Sequence, residues 1–362
     1  MKKTLLAAAV AATLGLPHAV GAATLEDELA AIKARLEALE QQVREQNRVI
    51  ADKDRELAEL RSEVTQAHGD GTGWFERIEI GGLIEVEASH SSPDGGSDSS
   101  DIITPTVELG ITAQVNDWVA AELVLLYEED SDNDGDFGVD TAMVSIADPD
   151  SNWFVNAGQF TLPFGHYETF MVVDPLTLDL GETADTALAA GMGFGALSAS
   201  VYVFDGDRGA RINNFGAALG LVHEFDGISL SAHLGYIDDL NESDGLQDLG
   251  LDNGSQNAAG WTAALGLGIG PVSFIAEYVA ALDGFDGAAG AEPSAFNLEA
   301  GYGFELAGRP ALVAIAWQGT DDYAAIDPAV SEKRLAAAVS VEIFDGTWVA
   351  LEYRTDEDYT GA

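Results

Sequence analysis

The residues of this chain that could carry chemistry are carboxylates and a few histidines, and their arrangement indicates binding or conduction rather than catalysis. The chain contains no Cys, which excludes thiol nucleophiles, disulfides, zinc–thiolate sites and iron–sulfur clusters. The five histidines beyond the N-terminal segment, at positions 68, 90, 166, 223 and 233, are scattered, and neither an HExxH nor a GxSxG motif occurs. The sequence therefore predicts a protein that is not an enzyme.

One acidic segment matches half of a calcium-binding loop. Asp130, Asp132 and Asp134 alternate in front of Gly135, so their oxygens could surround a cation at a tight turn. The twelfth position of that pattern is Thr141 rather than a bidentate Glu. Calcium at this segment is therefore one hypothesis, and a solvated acidic loop is the favoured alternative.

The elements that must position such residues are extended strands. Ile78, Ile80 and Ile84 share one face of the first, while Glu79 and Glu85 share the other. Similar segments of about ten alternating residues recur along the chain, which is the pattern of strands with one face in lipid and one in water. The sequence predicts an all-β fold, an antiparallel transmembrane β-barrel of about 16 strands. A soluble β-sandwich or lipocalin-like barrel is the alternative, and small residues on the polar face argue against it.

The predicted connections alternate between short turns and long polar loops. Short turns occur near 116–117, 148–150, 195, 226–227, 270–271, 308–310 and 345–346. The long segments lie near 90–101, 128–138, 161–186, 205–212, 238–257, 283–294 and 319–333. Outer-membrane barrels have short periplasmic turns and longer external loops, so this alternation favours that class.

The third long segment is the best candidate for a constriction inside the barrel. Its apolar content indicates a loop that packs, and its length would allow it to enter the lumen. The candidate constriction residues are His166, Glu168, Asp174, Asp179 and Glu182. An exterior cap is the alternative, because length alone does not decide where a loop folds.

The charge of the chain is extreme, with 62 acidic and 16 basic residues and a net charge of -46. A field this negative repels phosphate backbones, so it argues against nucleic-acid partners. The part beyond residue 67 holds 51 of the acidic residues but only seven basic ones. The predicted lumen-facing carboxylates are Glu79, Glu85, Glu87, Glu108 and Glu122. A lumen lined in this way favours cations; adaptation of the surface to a salty habitat would explain the loop charges equally well.

The N-terminal quarter contains a predicted targeting signal and a predicted coiled coil. Residues 1–22, with Lys2 and Lys3 before an apolar core, predict a secretory signal peptide, and hence the cell outer membrane for the barrel. Residues 25–67 form six heptads with a mostly apolar seam, which predicts a periplasmic coiled coil and allows a homotrimer. A single amphipathic helix lying on its own domain is the alternative. A linker at 68–75 leads to the barrel, predicted for 76–362.

The strand count after the linker is fifteen. Bacterial single-chain barrels have even numbers of strands, and an open sheet edge is not tolerated in lipid. We therefore expect the sequence to be a fragment that lacks its closing strand.

Several motifs resemble the LbtU family of siderophore porins. The most specific are the stretch from Pro163 to Thr169, sequence PFGHYET, and the stretch from Asp174 to Thr183, sequence DPLTLDLGET. Weaker similarity occurs at 82–88, 106–110, 125–130 and 202–207, and the resemblance ends near residue 207. It implies an outer-membrane barrel that takes up ferric siderophore without a plug domain. No binding residues follow from it.

Three functional interpretations follow. The first is a porin-type channel for ferric siderophore, and the second is a general cation-preferring porin without a dedicated ligand. The third is structural, with the barrel anchoring a coiled coil that projects through the periplasm. The acidic lumen is in tension with the first for any polycarboxylate siderophore, which it would repel.

Overall fold

A computed structural model describes residues 77–94, 96–130, 133–206, 212–249 and 256–359. These residues belong to one compact unit, Phe75–Ala362. The predicted signal peptide (1–22), coiled coil (25–67) and linker (68–75) lie outside the described residues.

The unit consists almost entirely of strands, as the alternating pattern predicts. The strands are β1 (Ile78–Ile84), β2 (Glu87–Ser91), β3 (Ser99–Ile103), β4 (Thr106–Asn116), β5 (Val119–Asp130), β6 (Asn133–Ala147), β7 (Trp153–Thr161), β8 (Ala184–Phe194), β9 (Leu197–Phe204), β10 (Asn214–Phe225), β11 (Ile228–Ile237), β12 (Gly260–Ile269), β13 (Val272–Ala281), β14 (Ser294–Leu306), β15 (Arg309–Asp321), β16 (Ser331–Phe344) and β17 (Thr347–Asp358). Two short helices, α1 (Leu176–Gly181) and α2 (Asp244–Asp248), and two 3₁₀ turns (Leu240–Glu242 and Asp286–Ala288) lie in the connections.

Fifteen of these strands form one antiparallel sheet in the order β1-β4-β5 and then sequentially to β17. The other two, β2 and β3, pair with each other as a hairpin beyond β1 and β4. The predicted count of fifteen and the antiparallel all-β class are confirmed. Within the described residues, β1 and β17 are the two edge strands of the sheet.

One face of the sheet is apolar and exposed. Ile80 and Ile84 of β1 are 70% and 72% exposed, and the same face carries Leu219 and Leu335 on later strands. Side chains alternate across a strand, so the polar residues between them point to the opposite face. An apolar outer face and a polar inner face are what a barrel in lipid requires.

The connections alternate in length as predicted, with two differences. The segment predicted as a long loop near 90–101 contains parts of the β2–β3 hairpin. Several short turns contain a glycine at positive φ, such as Gly227 (79°) and Gly346 (68°), where an L side chain would be strained. The segment predicted as a long loop at 128–138 is largely strand, because β5 extends to Asp130 and β6 begins at Asn133. Tyr127 and Phe137 are cross-strand partners with ring centroids 6.0 Å apart, and this contact extends the hairpin.

Beneath the long connections lies a buried apolar cluster on the inner face. It joins residues of the long connections to inward side chains of the strands: Phe160, Leu162, Phe164, Tyr167, Leu180, Ala187, Ala189, Tyr202, Phe204, Ile237, Leu240, Leu246, Ala258, Val279, Phe285, Ala288, Ala291, Ala295, Tyr323 and Ile326. Burial of apolar surface therefore holds several long connections inside the coiled sheet. Among the described residues, no helix combines the length and apolar character of a membrane-spanning helix.

Candidate functional site

The connection between β7 and β8, residues 162–183, crosses the inner face of the sheet, and we name it the inner loop. It begins with Leu162 and Phe164, which are 2% and 0% exposed. The His233 ring on β11 donates a hydrogen bond through Nε2 to the Phe164 carbonyl oxygen, 2.9 Å away. Gly235, two residues further on β11, leaves the space in which the Phe164 carbonyl lies. The loop is thus already against the wall at its first turn.

The next contacts are made by a carboxylate of β13. The backbone N–H groups of His166 and Tyr167 donate to Oε1 and Oε2 of Glu277, at 2.9 and 3.0 Å. The Thr177 hydroxyl, on the returning half of the loop, donates to the same carboxylate at 3.1 Å. One glutamate therefore joins both halves of the inner loop to the wall.

Two more carboxylates continue this pattern on β14 and β17. Glu299 accepts hydrogen bonds from the Thr169 hydroxyl and the Phe170 N–H, both at 2.6 Å. Glu352 accepts one from the Val172 N–H at 2.5 Å. The outgoing half of the loop therefore reaches the last strand of the sheet.

The returning half of the inner loop crosses β16 and β15, which lie between β17 and β14. Arg334 of β16 donates through Nη1 to the Asp174 carbonyl oxygen at 3.2 Å. Gln318 of β15 accepts a hydrogen bond from the Leu176 N–H at 3.3 Å, where α1 begins. Each strand from β13 to β17 thus contributes at least one inward side chain to the backbone of the inner loop, and β14 contributes a second through the Asn297 amide, 3.5 Å from the Glu168 carbonyl oxygen.

Small residues on β14–β16 leave space for the inner loop on the inner face of the sheet. Met171, which is 9% exposed, packs with Phe170 against four alanines of β15 and β16, at positions 314, 316, 336 and 338. Gly301 of β14 lies beside the Phe170 ring. Larger inward residues here would overlap with the loop.

The predicted constriction residues separate into two groups. His166, Glu168 and Asp174 are exposed on the surface of the loop, whereas Asp179 and Glu182 of the same loop are partly buried. The His166 and Glu168 side chains approach to 3.8 Å between Nδ1 and Oε1, and the His166 ring lies 4.7 Å from the His233 ring between centroids. The structure therefore brings His166 and Glu168 together beside His233 of the inner wall, whereas Asp174 lies on the returning half of the loop.

The three aspartate and glutamate groups of the returning half have raised pKa values. Burial raises the pKa of Asp179 to about 6, against an opposing effect of Arg334. Burial, with the charges of Asp244 and Asp174 next in effect, raises the pKa of Glu182 to about 7. Partial desolvation and then the charge of Glu85 raise the pKa of Asp174, although part of this residue is exposed. The carboxylates of the returning half therefore lie among other carboxylates, whose charges raise their pKa values further.

The raised pKa of Glu182 predicts lower stability at neutral than at mildly acidic pH. Between the unfolded value near 4.5 and about 7 the folded chain binds the additional proton, so this contribution to stability is lost as pH rises through that window. We expect thermal unfolding in detergent at a higher temperature at pH 5 than at pH 8. Glu182→Gln should reduce the difference, whereas Glu168→Gln, on the exposed part of the same loop, should leave it intact. An unchanged difference in Glu182→Gln would contradict the prediction.

The register places three of the predicted lumen-facing glutamates on the inner face. Glu79 of β1 and Glu122 of β5 both lie opposite Thr112 of β4, and Glu108 lies four residues from Thr112 on the same face. Cross-strand partners continue this face through Met143, Gly158, Ala187, Phe204 and Asn214 to His233, Ala264 and Glu277. Residues directly opposite each other share a face.

The other two predicted lumen-facing residues lie beyond β1. Glu85 follows that strand, where its N–H donates to the Thr106 carbonyl oxygen at 2.9 Å. Glu87 is half-buried at the start of β2, opposite Ile103.

The two halves of the inner wall differ in charge. From Ile78 to Asp207 the sequence contains no Lys or Arg. On β16 and β17, Arg334 and Arg354 both contact the Asp356 carboxylate, at 2.7 and 3.0 Å from their Nε atoms. The wall that the inner loop covers therefore holds these two cations, while β1 and β4–β9 present only acidic and neutral side chains.

The residues that hold the loop were not among the sequence candidates. They are Glu277, Glu299, Gln318, Arg334 and Glu352. A signal was present, because each is a charged or amide residue at an inward position of a strand. Nothing local, however, indicates that the partner of such a residue is loop backbone.

The calcium hypothesis stays a prediction. Asp132 and the side chains of Asp130 and Asp134 lie outside the described residues. Within the part of the chain that the structure describes, no group of three His, Cys, Asp or Glu is arranged to hold a metal ion.

Sequence comparison relates the chain to proteins that are named UPF0422. One from Coxiella burnetii is 32% identical over 308 residues, which cover 78% of this chain and 65% of the relative. One from Legionella pneumophila is 27% identical over 320 residues, with coverage of 78% and 59%. The chain thus spans 59 to 65% of the length of these curated relatives. No protein-family profile matches it.

Structural comparison relates the sheet to outer-membrane channels. OmpF of Salmonella typhi, in its complex with daunomycin, superposes with a TM-score of 0.54 at 12% identity, over 78% of this chain and 91% of that one. The outer-membrane channel DcaP of Acinetobacter baumannii superposes with a TM-score of 0.51 at 15% identity, over 77% and 91%. The predicted fold class is confirmed: the unit has the antiparallel β-barrel fold of outer-membrane porins.

Proposed function

We propose that this protein is an outer-membrane channel of porin type whose lumen is narrowed by the inner loop. The observation that carries the proposal is the path of that loop, which contacts at least one inward side chain on each strand from β13 to β17. We propose that a loop held against these strands leaves a passage between its exposed surface and the uncovered part of the inner wall. His166, Glu168, Asp174, Asp179 and Glu182 are the proposed constriction residues, the first three in direct contact with solutes.

Conductance across a planar bilayer tests the channel itself. The full chain, folded in detergent, is expected to give discrete conductance steps on insertion. A heat-denatured sample serves as the control, because it retains any contaminating small molecules but not the barrel. Protein that migrates as folded on a gel and inserts into vesicles, yet gives no steps, would contradict the proposal.

We further propose that the passage prefers cations. Glu168 and Asp174 lie on the loop side, and Glu79, Glu108 and Glu122 lie on the inner face of β1, β4 and β5, in a part of the sequence where no Lys or Arg occurs between Ile78 and Asp207. Carboxylates on both sides of a narrow lumen favour entry of cations and oppose entry of anions.

Ferric siderophore is the proposed dedicated solute. The position of the two motifs that resemble siderophore porins supports this proposal, because 163–169 and 174–183 together make up most of the inner loop. Passage would then require the chelate to pass Glu168 and Asp174, which favours a neutral or cationic chelate over a polycarboxylate.

A general cation-preferring channel without a dedicated ligand is the competing proposal. Liposomes that contain the protein can be supplied with a ferric trihydroxamate, a ferric polycarboxylate and an uncomplexed sugar of similar size. Saturable uptake of one ferric chelate, faster than that of the sugar, is expected for a siderophore channel. Non-saturable rates that follow size and charge alone would favour the general channel.

We also infer that the predicted coiled coil at 25–67 joins chains in the periplasm, with a homotrimer as the proposed assembly. Cross-linking of the full chain is expected to give a trimer that is lost when 25–67 is deleted. Transport that survives the deletion would exclude the purely structural interpretation, in which the barrel serves only as an anchor for the rod.

A further inference from the structure

Three glutamates of the wall contact the inner loop at a regular spacing. The N–H donors are residues 166 and 167 for Glu277, residue 170 for Glu299 and residue 172 for Glu352. Successive contacts therefore occur about three residues apart, each on a different strand. The acceptors are 110 to 180 residues away in sequence from their donors.

These hydrogen bonds satisfy backbone donors that the loop cannot satisfy itself. The outgoing half, 164–173, is neither helix nor strand, so its N–H groups have no regular backbone partners. Hydrogen bonds to a charged acceptor stabilise a fold more than those to a neutral one. Removal of an acceptor carboxylate would leave backbone N–H groups of the loop, which lie against the wall, without a hydrogen-bond partner.

We infer that Glu277, Glu299 and Glu352 are positioning residues that set the width of the lumen by holding the inner loop against β13–β17. The inference rests on the proposed channel function. It divides the inward carboxylates into two classes. The carboxylates of the three positioning residues accept hydrogen bonds from loop backbone, whereas the carboxylates of Glu168 and Asp174 are exposed to solutes.

The two classes should differ in what they control. Loss of a solute-facing carboxylate changes charge preference and leaves the loop in place. Loss of a positioning carboxylate frees residues 166–173, which can then swing from the wall into the passage. We therefore expect the channel to close transiently. The effect on its preference for cations should be smaller.

The experiment uses the full chain with Glu277→Gln, Glu299→Gln and Glu352→Gln, singly and combined. A Gln side chain keeps one acceptor oxygen but replaces the other with an NH₂ donor, which cannot accept from a loop N–H, so single variants should be milder than the triple variant. In single-channel recordings, the triple variant is expected to close transiently at least twice as often as the unmodified protein. Glu305→Gln, which changes an exposed carboxylate on the same face of β14 near the short-turn end, is the matched control and should not change the closure rate.

A second readout reports the loop without any conduction. The chain has no Cys, so Met171→Cys introduces a single thiol at a position that is 9% exposed against the alanines of β15 and β16. Maleimide labelling of this thiol is expected to be several times faster in the Glu277, Glu299 and Glu352 single variants than in the otherwise unmodified protein. Single variants suffice if the triple variant does not fold.

The outcomes separate the two levels of the argument. Unchanged labelling and unchanged closure rates in folded variants would overturn the positioning role. Faster labelling in a protein that never conducts would support loop anchoring and would reject the channel. Faster labelling together with more frequent closure would support both.

Discussion

Gly235→Ala is expected to push the inner loop off the wall of the barrel. A Cβ at this position would lie 1.9 Å from the Phe164 carbonyl oxygen and 2.6 Å from Thr262 Cγ2. The first of these atoms belongs to the backbone, so it cannot move aside by rotating a side chain. The hydrogen bond from His233 to the same carbonyl would be lost, and Phe164 would leave its fully buried position.

The size of the effect follows from overpacking. Insertion of one methyl group into a filled site costs about 1–3 kcal/mol, which we expect as a lower unfolding temperature in detergent. The backbone clash is with the loop, whereas the neighbouring strand β12 meets the new Cβ only through the Thr262 side chain, so the sheet should still form. Single-channel conductance should therefore change in the same variant, with both measurements made on one preparation.

Gly81→Ala is the matched control. Gly81 of β1 also points to the inner face, as the partner of Gly110, and no atom lies within 4 Å of where its Cβ would be. We expect an unchanged unfolding temperature and unchanged conductance. Equal effects of the two substitutions would mean that glycine matters in these strands for reasons unrelated to the inner loop.

Neutralisation of the carboxylates beside the passage is expected to remove most of the cation preference. The proposed variant combines Glu168→Gln and Asp174→Asn on the loop with Glu108→Gln and Glu122→Gln on the inner faces of β4 and β5. A unit charge about 8 Å from a permeating ion contributes about 0.5 kcal/mol in water, so four charges amount to about 2 kcal/mol at low salt. The cation-to-anion permeability ratio should fall by about tenfold or more under those conditions, and by less at high salt because of screening.

The measurement is the reversal potential under a gradient of potassium chloride. The control variant carries the same change in net charge at short turns, with Asp117→Asn, Asp148→Asn, Asp150→Asn and Asp226→Asn. It should retain the reversal potential of the unmodified protein. If both variants lose the preference equally, the charges act as general surface acidity, as adaptation to a salty habitat would require, and not as a selectivity device.

Strand positions and faces could be predicted from local sequence because alternation is a local property. Ile80 and Glu79 point to opposite sides of β1 whatever the remainder of the chain does, and the turn at Gly227 needs only its own positive φ. The hairpin at 128–138 was one exception. Its acidic and glycine-rich composition predicts a loop, but the pairing of Tyr127 with Phe137 continues the strands through it.

The candidate site was predictable in part. Composition and apolar content predict that residues 161–186 pack, and the loop does so through Leu162, Phe164 and Leu180. The separation of Asp179 and Glu182, which are partly buried, from Glu168 and Asp174, on the loop surface, could not be derived from sequence. All four are acidic residues in one polar segment, and their exposure depends on which wall covers them.

The amino-acid sequence by itself determined the strands, the direction in which each side chain points and the excess of carboxylates along β1 and β4–β9. The tertiary structure alone decided where the inner loop lies and which of the inward carboxylates hold it. The physical reason is range: alternation and turn geometry involve neighbouring residues, whereas His166 and Glu277, or Val172 and Glu352, meet only after the sheet has coiled on itself.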